Sequence, residues 1–124
     1  MGGCPRISDA EWEVMQVVWR ESPISAAEVT RRLATSHDWS PRTIKTMLSR
    51  LIGKGALSFR TVGNRYLYSP AVTREECIRQ ASRSFLQRTF AGDSALALLH
   101  LVEQADLSDD EIERLRSLLE EKQR

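Results

Sequence analysis

Arg42, Thr43, Lys45, Thr46, Ser49 and Arg50 occupy one short segment with no acid among them. Guanidinium, ammonium and hydroxyl groups are the side chains that grip phosphate oxygens and read base edges. A guanidinium holds guanine through two parallel hydrogen bonds. A threonine offers its methyl to thymine or its hydroxyl to phosphate. Two further cations, Arg60 and Arg65, bracket a Gly63–Asn64 dipeptide. The whole stretch from Trp39 to Arg74, 36 residues, carries no carboxylate and seven basic side chains. An ordinary solvated helix face mixes Glu with Lys. An acid-free basic stretch that also carries helix and hairpin patterns is the expected footprint of a nucleic-acid binder.

Those groups need elements to hold them. Over residues 41–54, at about 100° per residue, Ile44, Met47, Leu48, Leu51 and Ile52 fall on one face, and the six polar residues fall on or beside the other. Ser40 followed by Pro41 supplies the helix start. The first turn of this helix holds Arg42 and Lys45, against the preference for acids at a helix N-terminus. A broken local rule of this kind is expected where function intrudes. Two helices precede it, over residues 9–20 and 26–36. Ser8 with Glu11 and Ser25 with Glu28 form their capping boxes. Trp12, Met15, Val18 and Trp19 form the inward stripe of the first, and Val29, Leu33 and Ala34 that of the second. After the third helix the period changes to two: residues 57–62 and 65–69 flank the Gly63–Asn64 turn as a hairpin. Three helices and a two-stranded hairpin predict a winged helix-turn-helix over residues 1–72, within a chain that is mainly α.

Beyond Thr73 the pattern is purely helical. Thr73 with Glu76 opens a fourth helix, a fifth covers residues 94–103, and Ser108 with Glu111 opens a sixth. Residues 1–72 hold ten basic and six acidic side chains, and residues 73–124 hold eight and eleven. Phosphate would repel the second part, which is therefore expected to meet protein. Ile78, Phe85, Leu96, Leu99, Val102, Ile112, Leu115, Leu118 and Leu119 are more apolar surface than three short helices bury alone. A second copy of the chain would cover it, so residues 73–124 are expected to form a three-helix dimerisation domain.

Cys4 and Cys77 stand far apart and suggest no disulfide framework, so Cys77 is read as packing and Cys4 as part of a frayed end. That usage suits a reducing cytoplasm. No apolar run is long enough to span a bilayer, and MGGCPRISD has neither a signal-peptide core nor a myristoylation pattern. Direct membrane binding is not expected. No metal-ligand spacing, phosphate loop or nucleophile motif stands out, so neither an enzyme nor a bound cofactor or metal is expected. His37 is read as a surface residue and His100 as a partly buried one.

The segment DWSPRTIKTMLSRLIGKGAL, Asp38 to Leu57, closely resembles the recognition segment of the BlaI/MecI/CopY family of bacterial penicillinase repressors. ISDAEWEVMQVVW, from Ile7, resembles that family's first helix, and DLSDDEIERL, from Asp106, its last. The resemblance implies a homodimeric repressor of transcription, regulating antibiotic resistance, that binds inverted repeats containing TACA/TGTA in double-stranded DNA. It assigns DNA contact to Arg42, Thr43, Lys45, Thr46, Ser49 and Arg50. The copper-sensing branch carries a C-terminal cysteine cluster, which this chain lacks. In the antibiotic-sensing branch a membrane receptor-protease triggers cleavage of an Asn–Phe bond, and the corresponding pair here is His100–Leu101. Two other readings stay open from the residues: a winged-helix module that binds protein alone, and a repressor that senses metal or redox state through Cys77 or His100.

Overall fold

The computed structural model describes residues 3–124. The backbone forms two compact units, Met1–Phe85 and Leu86–Arg124. In the first, α1 (Asp9–Arg20), β1 (Ile24–Ser25), α2 (Ala26–Leu33), α3 (Pro41–Gly53), β2 (Leu57–Val62) and β3 (Arg65–Pro70) follow in order. Helix α4 (Arg74–Phe90) begins there and runs on into the second unit, which holds α5 (Ser94–Gln104) and α6 (Asp109–Lys122).

Local side-chain chemistry starts nearly every helix. Ser8, Ser25 and Ser108 each accept a hydrogen bond from the backbone N–H three residues on, and Glu11, Glu28 and Glu111 reach back to the cap amide. Thr73 and Glu76 make the same exchange before α4. Each cap satisfies first-turn amides that otherwise have no partner and contributes about 1 kcal/mol. Gly55, at φ +83°, lets the chain leave α3 for β2, and Gly63, at φ +62°, closes the hairpin. An alanine at either position would be strained by its Cβ.

The sheet has three strands, not the two expected, in the order β1-β3-β2, all antiparallel. β1 is only two residues long, with Ile24 opposite Tyr68 and Ser25 opposite Leu67. Too short to alternate, it left no period-two signal. Ser25 serves as both strand end and α2 cap. This closes one edge of the hairpin and ties it to the helices, completing a winged helix-turn-helix.

One core holds the first unit together. Val14, Met15, Val17 and Val18 of α1 meet Val29 and Leu33 of α2, Ile44, Met47, Leu48 and Leu51 of α3, and Ile24, Ala56, Leu57 and Tyr68 around the sheet. The inward stripe of α1 thus differs from the expected one: Trp12 and Trp19 are half-buried at its margin, with ring centroids 5.5 Å apart. The Trp19 indole N–H donates to the Val72 carbonyl at 3.0 Å, and a wide polar ring is better placed where such a partner exists. α2 is also shorter than expected. It ends at Leu33, and Ala34 is an exposed C-cap.

The cysteine reading is overturned. Cys4 and Cys77 are disulfide-bonded, with Cα atoms 5.0 Å apart across 73 residues of sequence. The approach to α1 lies beside the first turn of α4, a tertiary juxtaposition that spacing alone does not reveal. Both residues are buried. Cysteine usage therefore gives no argument for a reducing setting. His37 is half-buried, stacked on Trp39 with centroids 4.1 Å apart, and its Nε2 is 3.5 Å from Glu13.

Glu11 is the buried acid of the core margin, with its side chain 3% exposed. Burial raises its pKa. The Lys54 ammonium and the Ser8 N–H, which donates to Oε1 at 3.0 Å, outweigh that and hold the carboxyl below its usual range. Such a group stabilises the fold above its unfolded pKa, about 4.3, and the contribution is lost as pH falls through the lower folded value. Lys54→Met should lower unfolding free energy by about 1–3 kcal/mol near neutral pH, because it leaves a buried carboxylate without its cation. Urea titrations from pH 3 to 7 should show stability falling below about pH 4.5, less steeply for Glu11→Gln.

Candidate nucleic-acid interface

Burying Ile44, Met47, Leu48 and Leu51 leaves α3 only one orientation. Arg42, Thr43, Lys45, Thr46, Ser49 and Arg50 are all exposed, as their spacing predicts. Arg42, Lys45, Thr46, Ser49 and Arg50 line one shallow concavity of about 530 Å³. No acid stands in the first turn. Ser40 accepts from the Thr43 N–H at 3.2 Å and starts the helix in place of the missing carboxylate.

Two hydroxyls are less free than the sequence suggests. The Thr46 hydroxyl donates to the Arg42 carbonyl at 3.0 Å, and those of Thr43 and Ser40 lie 3.1 Å apart. Thr46 therefore spends its proton on the helix and can offer its methyl and a lone pair outward. That suits contact with a thymine methyl better than donation to a base.

The hairpin completes the surface. Phe59 faces Tyr68 and Thr61 faces Tyr66 across β2 and β3, whereas Arg60 faces Leu67 and Val62 faces Arg65. Alternation puts the aromatic residues on one pleat face and the arginines on the other. The rings of Phe59 and Tyr66 are 4.5 Å apart, and those of Tyr66 and Tyr68 6.3 Å. Burial pushes the Tyr68 phenol up, with a smaller push from Tyr66, so Tyr68 is a neutral packing residue. Arg65 shares a cleft of about 580 Å³ with Lys45, Ser49, Asn64, Tyr66 and the amino end of α2 at Ser25–Ala27. Arg60 is exposed and does not line that cleft.

Sequence reasoning missed Asn64 and the start of α2 as neighbours of this cleft. The capping box marked the helix start, but only the fold carries it beside α3. Glu28 is nearby. Hydrogen bonds from the Ser25 backbone and hydroxyl hold its carboxyl low, with smaller help from Arg31 and Arg65. A larger concavity of about 690 Å³, bounded by Glu13, Glu21, Arg20, Arg32 and Arg74, is of mixed charge. Glu21 and Arg32 pair across it at 2.6 and 2.8 Å.

Residues 7–121 match the family model described as penicillinase repressor. The chain belongs to the penicillinase repressor family. It is 44% identical over 117 residues to the penicillinase repressor of Bacillus licheniformis, covering 94% of this chain and 91% of that one. It is 35% identical over 116 residues to the methicillin resistance regulatory protein MecI of Staphylococcus aureus strain N315, covering 94% of each. Among solved structures it is similar to the DNA-binding domain of the repressor BlaI, with 46% identity and a TM-score of 0.55 over 61% of this chain and 93% of that one. The B. licheniformis BlaI monomer in complex with the blaP half-operator matches over the same shares, with a TM-score of 0.53.

The residues expected beyond Thr73 to carry dimerisation belong to α4, α5 and α6. Leu96, Leu99, Val102, Ile112, Leu115, Leu118 and Leu119 are all exposed, from 37% for Leu115 to 63% for Leu99. Within Leu86–Arg124 only Ala97 is buried among the described residues. Ile78 and Phe85 on α4 are exposed as well. His100 and Leu101 lie inside α5, and both are exposed. Among the described residues no helix is long and apolar enough to cross a membrane.

The cap of α3 gives a direct check on how this face is held. Ser40→Ala should lower the unfolding free energy by about 1 kcal/mol, read by urea denaturation. Ser40→Asp should restore it, because the new carboxylate both caps the helix and meets its positive end.

Proposed function

We propose that the chain is a sequence-specific, DNA-binding transcriptional repressor that acts as a homodimer. The observation that carries this reading is the acid-free, fully exposed face of α3, set beside Arg65 of the hairpin on a winged helix-turn-helix. Family membership supports it, as does the likeness to BlaI bound to a half-operator. In this reading α3 enters the major groove. Arg42, Lys45 and Arg50 supply bidentate or phosphate contacts, Thr43, Thr46 and Ser49 supply methyl and hydroxyl contacts, and Arg60 and Arg65 hold the flanking backbone. The operator is an inverted repeat of TACA/TGTA type, located with the repressor in the cytoplasm. Its occupancy blocks transcription, and no catalysis is assigned.

The homodimer follows from what α4, α5 and α6 leave uncovered. Half-exposed leucines contribute about 1 kcal/mol each when covered. A second copy offers the same apolar residues at the same spacing, and a two-fold dimer matches a palindromic site. Residues 73–124 would then carry dimerisation. Repression is relieved by a cut at His100–Leu101 from a receptor-linked protease, or by another signal acting on the dimerisation helices. A protease binds its substrate extended, so α5 must unwind locally before the bond is accessible. A cut there would sever α6 and dissolve bivalent binding.

The deciding experiment compares a TACA/TGTA inverted-repeat duplex with a scrambled one near physiological salt, with the mass of the complex recorded. The expected result is a preference of about 10³-fold or more, with two chains per duplex. Arg50→Ala and Thr46→Ala should weaken cognate binding more than scrambled binding. Arg60→Ala and Arg65→Ala should weaken both alike and lower the salt slope by about one. Weak, equal binding to both duplexes would favour a winged helix used for protein contact.

A further inference from the structure

We propose that Cys4 and Cys77 form a thiol–disulfide switch that sets how firmly α4 is anchored, and through it how tightly the dimer grips a two-site operator. The inference rests on the homodimeric reading above. α4 has 17 residues, and Cys77 is its one buried residue among those described. It is 1% exposed, and the disulfide joins it to Cys4, which is 8% exposed. The cystine is therefore a covalent anchor at the base of a helix that leads out of the DNA-reading unit.

Other ties at this point are weak. Arg74 Nε reaches Gln16 Oε1 only at 3.4 Å, and the 3.0 Å bond from Trp19 goes to Val72, before the helix begins. At the other end of the link, the carbonyl of Arg6, two residues after Cys4, accepts a hydrogen bond from Lys54 Nζ at 2.9 Å. Lys54 is the C-cap of α3 and also pairs with Glu11. A continuous path of bonds thus runs from the end of the DNA-reading helix, through Lys54, Arg6 and Cys4, to the base of α4.

The chemistry is a two-electron exchange with a low-molecular-weight disulfide. The Cys4 and Cys77 thiols give up two protons and two electrons, and one S–S bond forms in the chain. The S–S bond of the small disulfide breaks and leaves as two thiols, by way of a mixed disulfide. A dithiol reverses the reaction. With the bond made, α4 is fixed at its base, and a dimer presents two reading units at defined spacing. With it broken, α4 pivots about Thr73, and the second half-site is met at a lower effective concentration. A half-operator engages one reading unit and needs no spacing.

The test uses the full wild-type chain, oxidised with glutathione disulfide or reduced with excess dithiol, with the thiol count read by alkylation and mass. The oxidised chain should bind the full inverted repeat about tenfold tighter than the reduced one, a typical size for coupling between two sites. Binding to a half-operator should be equal in both states. Cys4→Ser, which leaves the buried Cys77 in place, should behave as the reduced chain under either condition. Coupling is reciprocal, so saturating full operator should shift the Cys4–Cys77 equilibrium toward disulfide by the same factor. Redox-independent binding to the full repeat by an intact dimer would overturn the switch and leave the repressor reading standing. Oxidation that links two chains instead of closing one would also overturn it. No operator preference in either state would overturn both.

Discussion

The apolar back of α3 is the constraint on which the rest depends. Ile44, Met47, Leu48 and Leu51 lie in the same core as Met15, Val18 and Val29. Burying each such side chain contributes about 1.5–3 kcal/mol, far more than the few tenths lost by putting Arg42 and Lys45 at a helix N-terminus. The core therefore decides which way the helix faces, and its electrostatically awkward side is turned to solvent. A face that is unfavourable in isolation becomes favourable once an anionic partner covers it. β1 and the Tyr68 contact extend the same logic to the hairpin, whose Arg65 shares a cleft with Lys45 and Ser49 of that face.

Charge and apolar surface are segregated along the chain. Basic groups gather on the winged unit, and exposed leucines gather on α5 and α6. Each is an unfinished surface of a different chemistry. One asks for phosphate, the other for apolar contact. The proposed homodimer on a palindrome would satisfy both, one copy covering the leucines of the other while the two basic faces meet DNA. Lys54 and Glu11 stand at the margin between core and surface. There burial works against a carboxylate, and the lysine at the end of α3 together with the Ser8 N–H outweighs it.

What was legible in the sequence was local. Capping boxes at Ser8, Ser25, Thr73 and Ser108 are exchanges between residues three apart, so sequence spacing reveals them directly. The polar face of α3 follows from helical period alone, and the Gly63–Asn64 turn from a dipeptide. What escaped was tertiary or too short to be periodic. β1 has two residues and exists only because β3 offers an open edge. The Cys4–Cys77 bond joins segments that 73 residues separate. Spacing puts Trp12 and Trp19 inward, but both are half-buried, and the Val72 carbonyl holds the Trp19 indole at the margin. The hydrogen bonds of Thr43 and Thr46 depend on rotamers, which residue type does not specify.

The most direct test of the central claim is a map of where DNA touches the chain. Amide chemical shifts of the ¹⁵N-labelled protein, titrated with an inverted-repeat duplex, should move most between Arg42 and Arg50 and around Arg60 to Arg65. Those of α6 should hold nearly still. Shifts concentrated on α5 and α6, or none on the exposed face of α3, would contradict the account.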